Sequence, residues 1–346
     1  MPVREPILEN WPTSGLEAVP LCPACGSSRR QLLHSELVDL AFASPSGPWR
    51  MQGCSDCGCG YLDPRPTADT IARAYAHYYT HQGVVAPAGL WATLRHALRD
   101  DHFAARLGRK GAATIWPGRH LLSALPPLRE GLETLVARNL PGPGEGRRLL
   151  DVGCGNGEYL AFARQSGWRV EGVDFDPRAV ATARGLGLEV TEGGIDTLAA
   201  EDERYDRITL SHVIEHVYDP VDVLRQCHRL LKPGGTLWLE TPNVNAFGHT
   251  AFGPAWRGLE VPRHLVVFSH AALLGLLEKA GFADVRNHFN MLGIRLIWNE
   301  SRALLTKAGG APGRAHGTVA RWRAELAGRA APERREFITV SCQKPR

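Results

Sequence analysis

Eight cysteines occur in the 346-residue sequence, and four of them form two identical motifs. The motifs are CPACG at 22–26 and CSDCG at 54–58. A Cys-x-x-Cys-Gly turn directs two thiolates to one centre, and four thiolates make a closed tetrahedral site typical of structural zinc. The spacing therefore predicts a structural Zn²⁺ bound by Cys22, Cys25, Cys54 and Cys57, with redox-active or unrelated cysteines as the alternative.

A glycine-rich loop is the second group of residues with a chemical signature. In LLDVGCGNGEYL (149–160), an apolar run ends in Asp151, and glycines follow at 153, 155 and 157. A loop of this kind between a strand and a helix lets a ligand approach the main chain, and the helix N-terminus offers free N–H groups. Asp174 ends the next apolar run and can accept hydrogen bonds from ribose hydroxyls. The pattern favours a nucleoside-containing ligand, although an ordinary strand–helix turn can carry the same glycines.

Two acidic residues beside the loop bear on the class of that ligand. A dinucleotide-binding loop would have a third glycine where this sequence has Glu158. Asp151 would also repel a pyrophosphate, whereas a carboxylate at this place suits a cation. A dinucleotide-dependent oxidoreductase is therefore disfavoured.

The elements that position these residues follow from the hydrophobic pattern after residue 148. Short apolar runs alternate with helical segments, which predicts an α/β fold with a mostly parallel sheet. We predict strands at 148–152, 169–173, 187–191, 205–210, 235–240, 283–289 and 336–342, and helices at about 157–167, 177–186, 219–231 and 270–280. Between the last two strands, residues 290–335 form an insertion that we interpret as an amphipathic helix pair, with a lid, a dimer contact or a membrane-resting surface as alternatives.

The residues before 146 divide into two regions. Residues 1–65 combine Pro, Gly and Cys with short strand-like runs and form the predicted zinc-binding module. Residues 66–145 are predicted to be helical, with one helix that begins near 66–69 and runs to Tyr78 and Tyr79, and another at 90–107. The third region, 146–346, carries the glycine loop and the sheet.

Composition excludes several classes of protein. The 40 Lys and Arg residues nearly balance the 36 Asp and Glu residues, which argues against nucleic acid as the main partner. No run of about 18 apolar residues predicts a spanning helix. The first ten residues lack the apolar segment of a secretory signal, so we expect a cytoplasmic protein with reduced cysteines.

Four segments together resemble a known family. LLDVGCGNGEYL, VEGVDFDP, YDRITLSHVIEHVYDP and LKPGGTLWLETPN occur in the order and spacing of class I S-adenosylmethionine-dependent methyltransferases. They are similar to the branch that contains ubiquinone-type and small-molecule O-methyltransferases. The resemblance covers about 148–289 and the final strand, and it implies a Rossmann-like seven-stranded sheet with helices on both faces.

The resemblance also implies a set of cofactor-binding residues for S-adenosylmethionine. Asp151 and the loop would hold the methionine ammonium and carboxylate, Asp174 the ribose, and Phe175 the adenine. A backbone contact near Gly194 and Ile195 would replace the acid that relatives use for the adenine amino group. The implied set is Asp151, Gly153, Cys154, Gly155, Asn156, Gly157, Asp174, Phe175, Gly194, Ile195, Ser211 and His212.

Candidate catalytic residues follow the fourth and fifth predicted strands of the sheet. Histidine is suited to act as a general base near neutral pH. We rank His264 first, with His216 and Glu215 as the other candidates; the alternative is that these residues only order the surrounding loops. Arg263 precedes His264 where zinc-containing sugar C-methyltransferases, which this segment resembles, have Glu, and it is a candidate clamp for an acceptor phosphate or carboxylate.

The sequence thus predicts a methyltransferase that acts on a hydroxyl of a sugar, a glycan precursor or a secondary metabolite. Tyr78 and Tyr79 are candidate acceptor contacts, because AYAHYYTH resembles a segment of sugar methyltransferases; the alternative is a packing face. A close alternative activity is C-methylation of a nucleotide-linked keto-sugar. An alternative of another class is a non-catalytic zinc-ribbon scaffold. A homodimer is the oligomeric state that we consider.

Overall fold

The computed structural model describes residues 10–42, 44–76, 89–111, 114–198 and 202–346. Its strands are β1 (Leu16–Glu17), β2 (Arg30–Leu37), β3 (Trp49–Cys54), β4 (Gly60–Leu62), β5 (Arg65–Pro66), β6 (Arg148–Val152), β7 (Arg169–Asp174), β8 (Glu189–Glu192), β9 (Tyr205–Ser211), β10 (Leu231–Pro242), β11 (Val266–Val267), β12 (Ala283–Asn287) and β13 (Phe337–Gln343). Its α-helices are α1 (Leu90–Leu107), α2 (Gly118–Ser123), α3 (Pro126–Leu135), α4 (Glu158–Gln165), α5 (Pro177–Gly185), α6 (Pro220–Leu230), α7 (Phe247–Phe252), α8 (His270–Lys279), α9 (Met291–Lys307) and α10 (Thr318–Ala330).

The larger sheet has seven strands in the described residues, in the order β12-β13-β10-β9-β6-β7-β8. Only β13 runs antiparallel to its neighbours in this sheet. The prediction of a Rossmann-like methyltransferase sheet is confirmed, and every predicted strand is present with small shifts at its ends. Because β6, β7, β9 and β10 are parallel, their carboxyl ends meet at one edge of the sheet.

Local sequence explains the regularity of this part of the chain. Leu149, Leu150 and Val152 bury β6 on both faces, as expected for a central parallel strand. Two of the following helices begin at an aspartate cap with proline next to it: the side chain of Asp176 accepts from Arg178 N, and that of Asp219 accepts from Asp222 N.

A smaller four-stranded sheet has the order β11-β4-β3-β2. Its first three strands in the chain belong to the zinc-binding region, whereas β11 directly follows His264 in the C-terminal region. Two cysteines of the predicted metal site also share one apolar core cluster with strands of the larger sheet. Hydrogen bonds and apolar packing therefore join the two regions.

The predicted helix that begins near residue 66 is wrong. Pro66 lies in β5 and pairs with Leu16 of β1, and only a short 3₁₀-helix, Ile71–Tyr75, follows. The main-chain oxygen of Gly15 accepts from both Thr67 N and the Thr70 hydroxyl, so contacts with a distant segment override the local helical pattern. Tyr78 and Tyr79 lie outside the described residues.

Two other helical predictions are confirmed. The helix predicted at 90–107 has the bounds of α1. The 290–335 insertion contains the helix pair α9 and α10. None of the helices in the described residues is long and apolar enough to cross a membrane.

Candidate active site and metal site

The four predicted zinc ligands lie together. Their sulfur atoms are all within 4.8 Å of one another, and the Sγ–Sγ distances are 3.6 Å for Cys22 and Cys57 and 3.5 Å for Cys25 and Cys54. Thiolates bound at about 2.3 Å in a tetrahedron are separated by roughly 3.8 Å. Both knuckles have the same form, since the glycine after each Cys-x-x-Cys bonds back to the first cysteine carbonyl. The geometry therefore fits a Cys₄ zinc site.

The zinc knuckles contact the segment that carries His264. The hydroxyl of Ser269 donates to the carbonyl oxygen of Cys57 over 2.6 Å, and the main-chain N–H of Leu62 donates to the carbonyl oxygen of Leu265. The metal site is thus one support of the strand that follows His264.

The loop glycines have two different surroundings. A Cβ at Gly157 would lie 2.5 Å from Leu188 and 2.9 Å from Ala183, and one at Gly153 would lie 2.5 Å from Val213. A Cβ at Gly155 would meet no atom within 4 Å. Gly153 and Gly157 thus permit close packing within the protein, whereas the main chain at Gly155 is open to a ligand.

Asp151 is fully buried beneath this loop. Its Oδ1 accepts from the Arg138 guanidinium and, over 2.7 Å, from the Thr209 hydroxyl. Its Oδ2 is buried and has no hydrogen-bond partner among the described residues. Burial raises the pKa of Asp151, although the Arg138 charge opposes this effect. A buried carboxylate oxygen without a donor marks a place where a ligand N–H would be stabilised.

Asp174 lies across the loop from Asp151. Its Oδ2 accepts from Gly155 N and its Oδ1 from Asp176 N, at 2.8 and 2.9 Å. Each carboxylate oxygen has a second lone pair for a ligand hydroxyl. Phe175 is 75% exposed, and its ring lies beside Gly194, where a Cβ would approach it to 2.8 Å.

The other predicted cofactor residues occupy several environments. Cys154 is buried, and a Cβ at Gly172 would meet its sulfur at 2.7 Å. Asn156 caps α4, because its Oδ1 accepts from Glu158 N. Ile195 is buried in the core, and Ser211 is half-buried at the carboxyl end of β9. All of these residues lie on the loops and strand ends around the glycine loop.

His212 lies between two buried carboxylates at the same sheet edge. Its Nδ1 is 3.2 Å from Glu215 Oε1, and its Nε2 is 3.5 Å from Glu240 Oε1. Burial lowers the pKa of His212, but the hydrogen bonds and charges of Glu215 and Glu240 outweigh it and raise the pKa. For Glu215, burial raises the pKa, while His212 and further histidines lower it to about 2. The pair is therefore ionic at neutral pH.

His216 and His264 are in ring contact, with centroids 4.7 Å apart. The Nδ1 of His264 is 2.8 Å from the carbonyl oxygen of Gly258, and the Nδ1 of His216 is 3.0 Å from that of Arg263. Because a carbonyl oxygen only accepts, both Nδ1 atoms carry a proton and both Nε2 atoms are basic. Burial lowers the pKa of His264 to about 4, against the opposing charge of Glu260.

Two further side chains complete this cluster. Glu215, His216 and His264 have ligand-type atoms within 4.8 Å of one another. The phenol of Tyr75 is 3.0 Å from the Nδ1 of His216. Glu260 Oε2 is 3.8 Å from the Nε2 of His264. A titratable group thus lies on either side of the two histidines.

The predicted role of Arg263 as an acceptor clamp is not supported by its surroundings. Its side chain is fully buried and forms ion pairs of 2.9 Å with both Asp39 and Glu260. A guanidinium held by two buried carboxylates has no surface with which to bind an acceptor. Arg263 instead links the zinc-binding region to Glu260, and through it to His264.

Sequence reasoning missed Glu260, Glu240, Asp39 and Arg138. The signal for Glu260 was its spacing, since it stands four residues before His264. Asp39 gives no such signal, because its partner Arg263 is 224 residues away. Glu240 ends the parallel strand next to β9, where a carboxylate is a candidate for the same sheet edge.

Comparison with known proteins gives a consistent result. Residues 127–287 match the family described as "Methyltransferase domain". A ubiquinone biosynthesis O-methyltransferase of Cereibacter sphaeroides is 38% identical over 157 residues, which cover 42% of this chain and 64% of the relative. The corresponding protein of Bordetella avium is 38% identical over 131 residues, which cover 36% of this chain and 53% of the relative. The chain thus spans less than two thirds of these relatives' length.

Solved structures with a similar fold include a SAM-dependent methyltransferase from Archaeoglobus fulgidus. It is 22% identical, with a TM-score of 0.44, over 62% of this chain and 94% of that chain. A phosphoethanolamine N-methyltransferase 2 from Haemonchus contortus is 16% identical, with a TM-score of 0.47, over 82% of this chain and 62% of that chain.

Proposed function

We propose that this chain, which carries a methyltransferase domain over residues 127–287, transfers a methyl group from S-adenosylmethionine to a hydroxyl of a small acceptor. The observation that carries the proposal is the open main chain at Gly155, which lies between the carboxylates of Asp151 and Asp174. The described relatives, which are O-methyltransferases by name, support a hydroxyl as the acceptor group.

The residues present fit this cofactor. The unpartnered Oδ2 of Asp151 would accept from the methionine ammonium, and Asp174 would accept from the ribose hydroxyls. The exposed ring of Phe175 would lie against the adenine. When bound, the cofactor supplies an activated methyl group, so the protein has to orient the acceptor and exclude water.

We assign the proton of the acceptor hydroxyl to a histidine of the His216–His264 pair, with His264 as the base. The basic Nε2 on each ring supports this role, as does the low pKa of His264, which keeps that imidazole neutral at physiological pH. Glu215 would act by holding His212 at the sheet edge. We propose a sugar, a glycan precursor or a secondary metabolite as the acceptor, with Tyr78 and Tyr79 as contacts.

C-methylation of a keto-sugar is the second candidate function, and Glu260 favours it. A carbon acid requires an acid–base partner close to the base. Arg263 occupies the neighbouring position in the sequence, but Glu260 lies 3.8 Å from His264. Glu260 therefore supplies the carboxylate that the sequence lacks at position 263.

The function is tested with cofactor that carries a ¹³C-labelled methyl group and a panel of hydroxylated and keto-sugar acceptors. The chemical shift of the product methyl group distinguishes O-methylation from C-methylation. His264→Asn should slow turnover by about 10²–10⁴-fold and leave cofactor affinity unchanged. If only His216→Asn slows turnover, the base is His216. If no acceptor is methylated although the cofactor binds, the non-catalytic scaffold is the better account.

A further inference from the structure

The positive charge of this protein is concentrated in residues 290–335. This segment contains nine Lys or Arg residues and three Asp or Glu residues, so its net charge is +6, whereas that of the whole chain is +4. The remaining residues therefore carry a small net negative charge. The segment consists mainly of α9 and α10.

The outer face of α10 presents apolar side chains at helical spacing. Val319, Trp322 and Leu326 are 62%, 59% and 72% exposed. Residues three and four positions apart lie on one face of a helix, so these side chains form a single stripe. Ala324 and Gly328, on the opposite face, are buried against the protein.

Basic side chains flank the apolar stripe. Arg323 and Arg329 belong to exposed positions of α10, and Arg302 and Arg314 are exposed positions of the preceding segment. Arg323 forms no ion pair with the described residues, and the partner of Arg329 is the half-exposed Glu130, over 3.4 Å. An apolar stripe with arginines at its margins matches the interface of an anionic lipid bilayer.

We propose that the outer face of α10, which comprises Val319, Trp322, Arg323, Leu326 and Arg329, binds the surface of an anionic membrane. Apolar side chains that protrude this far can enter the headgroup region while the guanidinium groups contact lipid phosphates. A symmetric contact between two copies through this face would bring two segments of charge +6 together, which opposes self-association there. This surface is independent of the proposed methyl transfer.

The test is flotation of the whole protein with vesicles of phosphatidylcholine alone or with about 30% phosphatidylglycerol, without cofactor. The protein should float only with the anionic vesicles, and added salt should release it. Trp322→Ala should weaken binding, and Arg323→Glu, which changes two charges near the surface, should weaken it by about thirtyfold. Trp116→Ala is the matched control, because Trp116 is 73% exposed but lies outside α10, and it should bind normally.

Four results would overturn the proposal. The native protein does not float with anionic vesicles, or Trp322→Ala and Arg323→Glu float as the native protein does. Trp116→Ala loses as much binding as Trp322→Ala, which would indicate non-specific adsorption. Trp322→Ala converts a dimer to a monomer in sedimentation, so that a second copy is the occupant. The native protein binds immobilised polyglutamate and ignores vesicles, so that an acidic protein is the partner.

Discussion

Replacement of Arg263 by methionine should destabilise the protein strongly. The substitution keeps a long apolar side chain but removes the positive charge between Asp39 and Glu260, both of which are buried. Loss of one partner from a buried ion pair costs about 3–5 kcal/mol, because the remaining charges stay desolvated.

The structure places the expected value at the low end of that range. Asp39 retains hydrogen bonds from the main-chain N–H groups of Ala41, Phe42 and Ser44. Glu260 retains its ion pair with Arg257. We therefore expect a loss of about 3 kcal/mol in the free energy of unfolding, measured by urea titration.

Arg178→Met is the matched control for this experiment. Arg178 is 66% exposed and pairs only with Asp176 over 3.1 Å at the surface, so its removal should cost about 0–1 kcal/mol. The double variant Asp39→Asn/Arg263→Met should lose less than the sum of the single losses, because the two side chains interact. A cost below about 1 kcal/mol for Arg263→Met, or strict additivity in the double variant, would refute the argument.

Three further outcomes follow from the contacts described. Gly157→Ala should destabilise by about 1–3 kcal/mol because its Cβ would overlap Leu188, whereas Gly155→Ala should keep more stability and lose cofactor affinity; urea titration and calorimetry separate the two effects. Removal of zinc by a chelator should expose residues 10–62 to protease while cofactor binding to the larger sheet persists; protection of that segment after metal loss would contradict the structural role. The pKa of Glu260 is lowered in the folded state, so its stabilising contribution is present above its ordinary value of 4.5 and is lost as the pH falls below it; Glu260→Gln should flatten that part of the stability curve.

The large sheet could be predicted from sequence because its signals are local. Short apolar runs such as 148–152 end at glycine or aspartate, and each helix between them begins at a cap. The strand positions were confirmed to within a few residues for this reason. The helix predicted from residue 66 failed because pairing of Pro66 with Leu16 depends on a segment far away in the chain.

The site was predictable only where strand ends define it. Asp151, Asp174 and His212 each follow or end a parallel strand, so topology alone brings them to one edge. The ion pair of Arg263 with Asp39 joins residues 224 positions apart, and no periodicity encodes it. The difference between Gly155 and Gly157 also required coordinates, because it depends on Leu188 from another element.

Titration calorimetry with S-adenosylmethionine is the most direct test of the central claim, which is that the main chain at Gly155 and the carboxylate of Asp174 form a nucleoside site. The account predicts one bound molecule per chain, no heat with NAD, and loss of binding in Asp174→Asn with the fold retained. Uptake of NAD, or undiminished affinity in Asp174→Asn, would contradict it.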